Sequence, residues 1–559
     1  MTPWDEAMKA MQRALALPAS PQKQPFDPIA IAAAMNDFAF RMAARPDAVV
    51  NASIQAIQQW GEFWLNASNP KAAPPKGRDR RFASKTWQED PWYRAIRDAY
   101  LLASEQMRSL VALDEHDGAN KAMVGFLLES WLNAVAPTNF VMTNPDVLER
   151  TVETKGANLA RGFANLLEDL ADGKGVVRRR TDPDAFVKGE TIAATPGQVV
   201  FQNELFQLIQ YAPTTETVAA EPLLYVPPLV NRFYMIDLVP RQSLVRWLVE
   251  QGRTVFVISW VNPTEEHRAS AVEDYVITGI VEAIGRVRER TGAAPDLFSF
   301  CLGGTLVAIA LAWLSAQGRG DEVNSATLIG SMVDFADMRD WSAFVHEAHL
   351  DALDEHLAEQ GYIDSVELQR LFSAMRANDL IWSSVVNHYL LDRAAPPSDL
   401  LYWFEDGARI PAAFLTSYNR ELLLENKLTQ AAFEVKGTRI DLASIETPVL
   451  SIALKDDHVS AWEAVYDGAK LLKADFLLGG SGHNAGVINP PAANKHGFWT
   501  NDRAAPSGKE WLESAIRNDG SWWPWWSEWL NAHGSSKRVP ARAITDGIEP
   551  APGSYAKAP

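Results

Sequence analysis

The chain has 559 residues and a formal net charge of −18, which excludes a general nucleic-acid surface, because such binding runs on clustered Lys and Arg. Its single cysteine excludes an intrachain disulfide and gives no sign of an oxidising compartment. The composition, 47% hydrophobic and 22% charged, is ordinary for a folded chain long enough for more than one domain.

The first stretch, MTPWDEAMKAMQRALALPAS, lacks a basic region followed by an apolar core. No signal peptide is expected there, and no run reaches the length of a transmembrane helix. A cytoplasmic protein is therefore expected, and the N-x-S triplets at Asn51 and Asn66 are incidental. Ala-rich helices are expected over Pro28–Ala44 and Ala48–Leu65. NASNPKAAPPKGRDRR (66–81) reads as a linker. From Thr86 apolar residues again recur at spacings of three and four. Asn144-Pro145 is a helix-start signal, and Gly173-Lys174-Gly175 ends the helical region. These boundaries divide the N-terminal part into an extension and linker (1–78) and a helical domain (79–190). Arg178-Arg179-Arg180 reads as a solvated patch.

From about Pro183 the period changes. Short apolar runs alternate with helical ones: QVVF (198–201), PLLYV (222–226), TVFVISW (254–260), the helix Val272–Thr291, LFSFC (297–301), the helix Thr305–Gln317, Ser325–Gly330, PVLSIA (448–453), the helix Ala461–Leu472 and Ala474–Leu478. Near-continuous apolar strands alternating with helices predict a mostly parallel sheet covered on both faces. The alternation fails between about 334 and 445, a helical, Trp- and Tyr-rich stretch expected to form a cap over the site. The catalytic domain is therefore placed at 191–533. The stretch 534–559, GSSKRVPARAITDGIEPAPGSYAKAP, is expected to be a disordered tail.

The run 295–312, PDLFSFCLGGTLVAIALA, carries the chemistry. A buried strand, a sharp turn with a nucleophile at its tip and a helix starting at once describe the nucleophile elbow of an α/β-hydrolase fold. Cys301 occupies the tip, with Ser299 where the pattern usually has glycine. A nucleophile needs a base, and the base an orienting carboxylate. In this fold the order is nucleophile, acid, histidine. Lys455-Asp456-Asp457-His458 follows PVLSIA, and Gly479-Gly480-Ser481-Gly482-His483 follows the last of these strands. Asp456 and Asp457 are equivalent on this reading. The oxyanion is expected to be held by the backbone N–H of Leu302, at the helix start, and of Val230, in the loop 227–231. His458 is expected either to help position substrate or to serve as a capping or surface residue; Trp403 is the other candidate for positioning. No histidine spacing demands a metal, so no metal site is expected. A thiolate suits a thioester, since acyl transfer to it gives another thioester and keeps the acyl group activated.

With these motifs in place the chain resembles the polyhydroxyalkanoate synthases. The resemblance runs from about Asp79 to Ala532 through DRRFASKTWQEDPWY, the stretch from APTNFVMTNPDVLERT, VPPLVNRFYMIDLVPRQS, NDLIWS, LLYW, KDDHVSAW, GHNAGVINPP and GSWWPWWSEWL. It implies a catalytic Cys301, Asp457 and His483, and so selects between the two aspartates. It implies polymerisation of (R)-3-hydroxyacyl-CoA with release of CoA, with 3-hydroxybutyryl-CoA as the expected substrate, by a synthase without a second type of subunit. It also implies a homodimer, association with the polymer granule, and no cofactor, coenzyme A being part of the substrate. Two positions depart from the family's pattern, Ser299 in the elbow and Phe404 after LLYW, where Asn is common. The alternatives on the same scaffold are a thioesterase or polyester depolymerase; one from another class is a non-catalytic granule-binding protein.

Overall fold

The computed structural model describes residues 28–66, 79–115, 118–171, 181–541 and 543–558. Most of the expected linker and the Arg178–Arg180 patch lie outside them. The chain divides into two compact units. One comprises Met1–Pro183, Ser342–His349 and Gln369–Ser398, and the other Asp184–Trp341, Leu350–Leu368 and Asp399–Pro559. The expected cap is thus not one piece, because its helices divide between the two units. The expected start of the catalytic domain at 191 falls a few residues after the division at Pro183/Asp184.

The described part of the first unit is helical: α1 (Pro28–Ala43), α2 (Pro46–Asn66), α3 (Pro91–Ala112), α4 (Ala119–Ala134), α5 (Pro145–Glu153) and α6 (Ala157–Ala171). Local chemistry starts two of them. Asp90 accepts from the N–H groups of Trp92 and Tyr93 at 2.9 and 3.2 Å, and Asn144 accepts from those of Asp146 and Val147 at 3.0 and 3.3 Å. Proline follows each cap at a position where its missing N–H costs nothing. Helix α6 packs on 385–392 so closely that a Cβ at Gly162 would sit 1.8 Å from the Tyr389 carbonyl oxygen. Asn158 donates to the Leu390 carbonyl, and the Tyr389 hydroxyl to the buried Asp169, both at 2.7 Å.

The second unit is built on an eleven-stranded sheet. Its strands are β1 (Gly197–Gln202), β2 (Phe206–Tyr211), β3 (Leu223–Val226), β4 (Val255–Trp260), β5 (Asp296–Phe300), β6 (Ser325–Ile329), β7 (Val449–Leu454), β8 (Asp475–Gly479), β9 (Phe498–Thr500), β10 (Ile516–Asn518) and β11 (Glu549–Pro550). Their order is β10-β9-β8-β7-β6-β5-β3-β4-β2-β1-β11. The run from β4 to β8 is parallel and the flanking strands are antiparallel. Strands β3 to β7 are buried at every residue, as an apolar sheet covered on both faces requires. The α/β-hydrolase expectation is met. The sheet continues past Ala474–Leu478 through β9 and β10, which are short and only partly buried and so carry little apolar signal.

The Trp-rich segment packs in the core: Trp522, Trp523 and Trp526 are fully buried and Trp529 nearly so. Their indole N–H groups donate to the carbonyls of Gly486 and Val487, to Thr327 Oγ1 and to Asp475 Oδ2 at 2.7–3.0 Å. The described residues of 534–558 do not form the expected disordered tail. Arg538–Pro540 pairs antiparallel with Thr217–Ala219, β11 extends the sheet beside β1, and a short helix, Gly553–Lys557, follows. A Pro-, Gly- and Ser-rich composition reads as unstructured. Pairing with strand edges more than three hundred residues away leaves no local trace.

Candidate active site

Cys301 stands between the end of β5 and α7 (Leu302–Ala316) with φ 53° and ψ −131°. That conformation is strained for a residue with a side chain, and it persists because the surroundings hold it. The Cys301 N–H donates to the Ile329 carbonyl on β6, and its carbonyl accepts from the Gly304 N–H, both at 2.9 Å. The two glycines after it have no room for a side chain: a Cβ at Gly303 would lie 2.5 Å from the Val226 carbonyl oxygen, and one at Gly304 2.1 Å from Ser331 Oγ. The helix therefore lies against the ends of β3 and β6, and its N-terminus opens at Cys301.

Ser299 is buried on β5, and its hydroxyl makes one long bond, 3.3 Å, to the Thr327 carbonyl. A Cβ at Gly304 would also lie 3.1 Å from the Ser299 hydroxyl oxygen, so Ser299 packs at the base of the elbow helix. Ser299→Gly is expected to leave CoA release from a hydroxyacyl thioester within about threefold of wild type and to cost roughly 0.5–1.5 kcal/mol of stability. Steady-state rates beside thermal unfolding test this; a large loss of rate at unchanged stability would give the serine a role in catalysis.

The turn after β7 brings Asp457 to the site. Its side chain is fully buried, whereas Asp456 is exposed and contributes only its backbone N–H, to the Ser481 carbonyl at 3.0 Å. Asp457 Oδ1 accepts from the N–H groups of Val459 and Ser460 at 2.7 and 2.9 Å, and Oδ2 lies 2.6 Å from His483 Nδ1. Geometry thus selects the same aspartate as the resemblance. The histidine loop is fixed in turn. The Lys455 N–H donates to the Gly479 carbonyl at 2.8 Å, the Gly486 N–H to the Gly482 carbonyl at 2.7 Å, and Trp522 and Trp523 grip Gly486 and Val487 from below.

His483 is 7% exposed and packs on Phe300 with ring centroids 4.5 Å apart. Burial alone would lower its pKa, but the charges and hydrogen bonds of Asp457 and Cys301 outweigh it and raise the pKa to about 10. With Nδ1 held by a carboxylate, Nε2 is the ring nitrogen left to exchange a proton with a neighbouring group. The arrangement favours the proton on His483.

The other expected residues are placed as follows. Leu302 is the first residue of α7, with its N–H at the helix start. Val230 lies in the loop after β3, whose last residue, Val226, is in register with Ser299; its carbonyl accepts from the Ala408 N–H at 3.1 Å. His458 is half-buried with its ring centroid 6.5 Å from that of His483. Trp403, on α8 (Asp399–Glu405), is 4% exposed, and its indole N–H is committed to the Arg232 carbonyl at 2.7 Å. It therefore props the loop after β3. Two tyrosines near the site escaped the sequence reading. Tyr225 is buried on β3 and its hydroxyl has no hydrogen-bond partner; its acidity is suppressed by burial and then by Cys301. Tyr418 is likewise suppressed by burial and then by Cys301, and it shares a hydrogen bond with Thr305. In the sequence one is a residue of an apolar strand and the other one aromatic among many in the cap.

Among the described residues no group of three or more His, Cys, Asp and Glu side chains could hold a metal ion. No described helix is long and apolar enough to cross a membrane.

Residues 78–248 match the family described as the poly-beta-hydroxybutyrate polymerase (PhaC) N-terminus, and residues 223–490 match the alpha/beta hydrolase fold. The chain is 40% identical over 533 residues to a poly(3-hydroxyalkanoate) polymerase of Methylorubrum extorquens, covering 92% of this chain and 87% of that protein. It is 41% identical over 516 residues to the poly(3-hydroxyalkanoate) polymerase subunit PhaC of Cupriavidus necator, covering 90% and 87%. Among solved structures it is similar to the thioesterase domain from the curacin biosynthetic pathway, at 12% identity and a TM-score of 0.31, over 53% of this chain and 96% of that one.

Proposed function

The chain belongs to the poly(3-hydroxyalkanoate) polymerase family, whose members are acyltransferases, and from that premise we propose that it grows its polyester on Cys301. The observation that carries the reading is the arrangement at the elbow: Cys301 at a strained tip, close enough to His483 to raise its pKa, with His483 buried and 2.6 Å from Asp457. In the proposed cycle His483 takes the thiol proton, and the Cys301 thiolate attacks the thioester carbonyl of an (R)-3-hydroxyacyl-CoA. The backbone N–H groups of Leu302 and Val230 bind the oxyanion. The carbon–sulfur bond to CoA breaks, and the CoA thiolate leaves with the proton from His483. His483 then takes the proton of an incoming hydroxyl, whose oxygen attacks the acyl-cysteine carbonyl. An ester forms, and the Cys301 sulfur is released. Both oxygens of Asp457 are already engaged. This supports its role in orienting His483 over direct activation of the hydroxyl.

The proposed substrate is the short-chain 3-hydroxybutyryl-CoA, and the cycle uses no cofactor beyond the CoA of the substrate. The proposal extends to a cytoplasmic homodimer at the surface of the polymer granule; the exposed Phe40, Ile57, Trp64 and Leu65 support contact with an apolar surface.

Incubation with 3-hydroxybutyryl-CoA should release free CoA together with insoluble polyester, and treatment with a metal chelator should leave the rate unchanged. If only soluble hydroxyacid appears, the acyl group goes to water and the enzyme is a thioesterase. A mixed supply of short and medium hydroxyacyl-CoAs should give a polymer composed mainly of the short unit.

A further inference from the structure

The loop that carries Val230 is held from two sides, and one hold comes from more than three hundred residues away. On its backbone side the Val230 carbonyl accepts from the Ala408 N–H at 3.1 Å, Asn231 Nδ2 donates to the carbonyls of Trp403 and Phe404 at 3.3 Å, and the Arg232 carbonyl accepts from Trp403 at 2.7 Å. On its side-chain side Arg232, 6% exposed, donates from Nη1 to the Tyr555 carbonyl at 2.9 Å and from Nη2 to the Ala558 carbonyl at 2.7 Å. These carbonyls lie in and just after α9 (Gly553–Lys557), where a helix leaves acceptors unpaired. Lys188 Nζ ties the Ala556 carbonyl, at 3.0 Å, to Asp406, at 2.9 Å, and the Tyr234 hydroxyl reaches the same carboxylate at 2.6 Å.

The grip is made through main-chain acceptors. Arg232 Nε stays 3.9 Å from Asp406 Oδ1, too far to hydrogen-bond, while both terminal nitrogens point at the helix end. The helix itself has a fixed seat. Gly553 has φ +81°, and a Cβ there would lie 2.3 Å from Gln207 Oε1. The Tyr555 hydroxyl donates to the Asn203 carbonyl at 2.8 Å.

We propose that Arg232 is a positioning residue for acyl transfer: it anchors the 227–232 loop to the segment 553–558 and so fixes the Val230 N–H where the oxyanion forms. The inference rests on Val230 as an oxyanion donor. A misplacement of about 1 Å in such a donor costs roughly 10²-fold in rate, so loosening its anchor should be visible in kcat.

The test uses full-length Arg232→Ala and Gly553→Val, which release the same contact from opposite sides. Each should lower kcat for CoA release roughly 10- to 100-fold with KM within about twofold, and each should speed hydrogen exchange of the amides at 227–232. The double variant should be no slower than the slower single one, because the two residues act as a unit. Arg232→Lys, which keeps the charge and loses the fork, should fall between wild type and Arg232→Ala, and it replaces Arg232→Ala in the comparison if the latter does not fold. The inference is overturned if both single variants keep kcat within about threefold of wild type, or if their losses multiply in the double variant. In either case acyl-Cys301 formation together with insoluble polymer from the wild type shows that the polymerase reading still stands. A wild type that forms no such adduct would remove that reading first.

Discussion

Cys301→Ala should release no CoA from 3-hydroxybutyryl-CoA and form no polymer, a loss on the order of 10⁴-fold or more, as for nucleophiles that act as one unit with their base. The fold should survive. Cys301 is only partly buried, and removing one sulfur from such a site is a small change beside those that unfold proteins. The strained turn is held by backbone bonds to Ile329 and Gly304, which alanine keeps. Mass spectrometry of the intact protein after a short exposure to substrate gives the sharper reading: the wild type gains one hydroxyacyl mass and the variant none. Polymer from the alanine variant at an undiminished yield would remove Cys301 as the nucleophile.

His483→Gln should slow acylation by roughly 10²–10⁴-fold, the range for a lost general base. Glutamine can still bond Asp457, so its carboxylate is not left buried without a partner. The same substitution should change how stability depends on pH. The pKa of His483 is raised from an ordinary 6.5 to about 10, against the pull of burial, by the charges and hydrogen bonds of Asp457 and Cys301. The folded state therefore binds this proton more tightly than the unfolded chain. The resulting stabilisation is fully present below about pH 6.5 and is lost as pH rises through about 10. Urea unfolding between pH 6 and pH 10.5 should show this decline in the wild type, with the glutamine variant lacking the His483 share. Parallel curves for the two proteins would mean that His483 does not carry the proton.

Much of the site was legible because its parts sit at strand ends that have strong local signatures. Leu297–Cys301 with Gly303 and Gly304 has the pattern of a buried strand turning sharply into a close-packed helix, and it gained its weight from the Asp and His that follow in order. The Gly-Gly-Ser-Gly run before His483 is a turn after an apolar strand. The choice between Asp456 and Asp457 was different. The residues are adjacent and chemically identical, and the resemblance alone decided it. In the fold one is exposed, and the other is buried with both oxygens bonded.

The sequence by itself determined the α/β-hydrolase class, the placing of Cys301, the Asp456–Asp457 pair and His483 in turns after three strands, and the family, since each rests on short-range pattern: period, turn chemistry and motif. Only the tertiary structure decided that the Trp-rich segment is a core strut for the histidine loop, that the expected cap divides between two units, that Tyr225 and Tyr418 lie near Cys301, and that Arg538–Pro540 and Glu549–Ala558 are tied to strand edges and to Arg232. The physical reason is common to all four. A side chain's local sequence sets which surface it can bury or which bond it can make. The partner that completes the contact, such as Gly486 for Trp522 or the Tyr555 carbonyl for Arg232, comes from a distant segment and is known only once the chain has closed on itself.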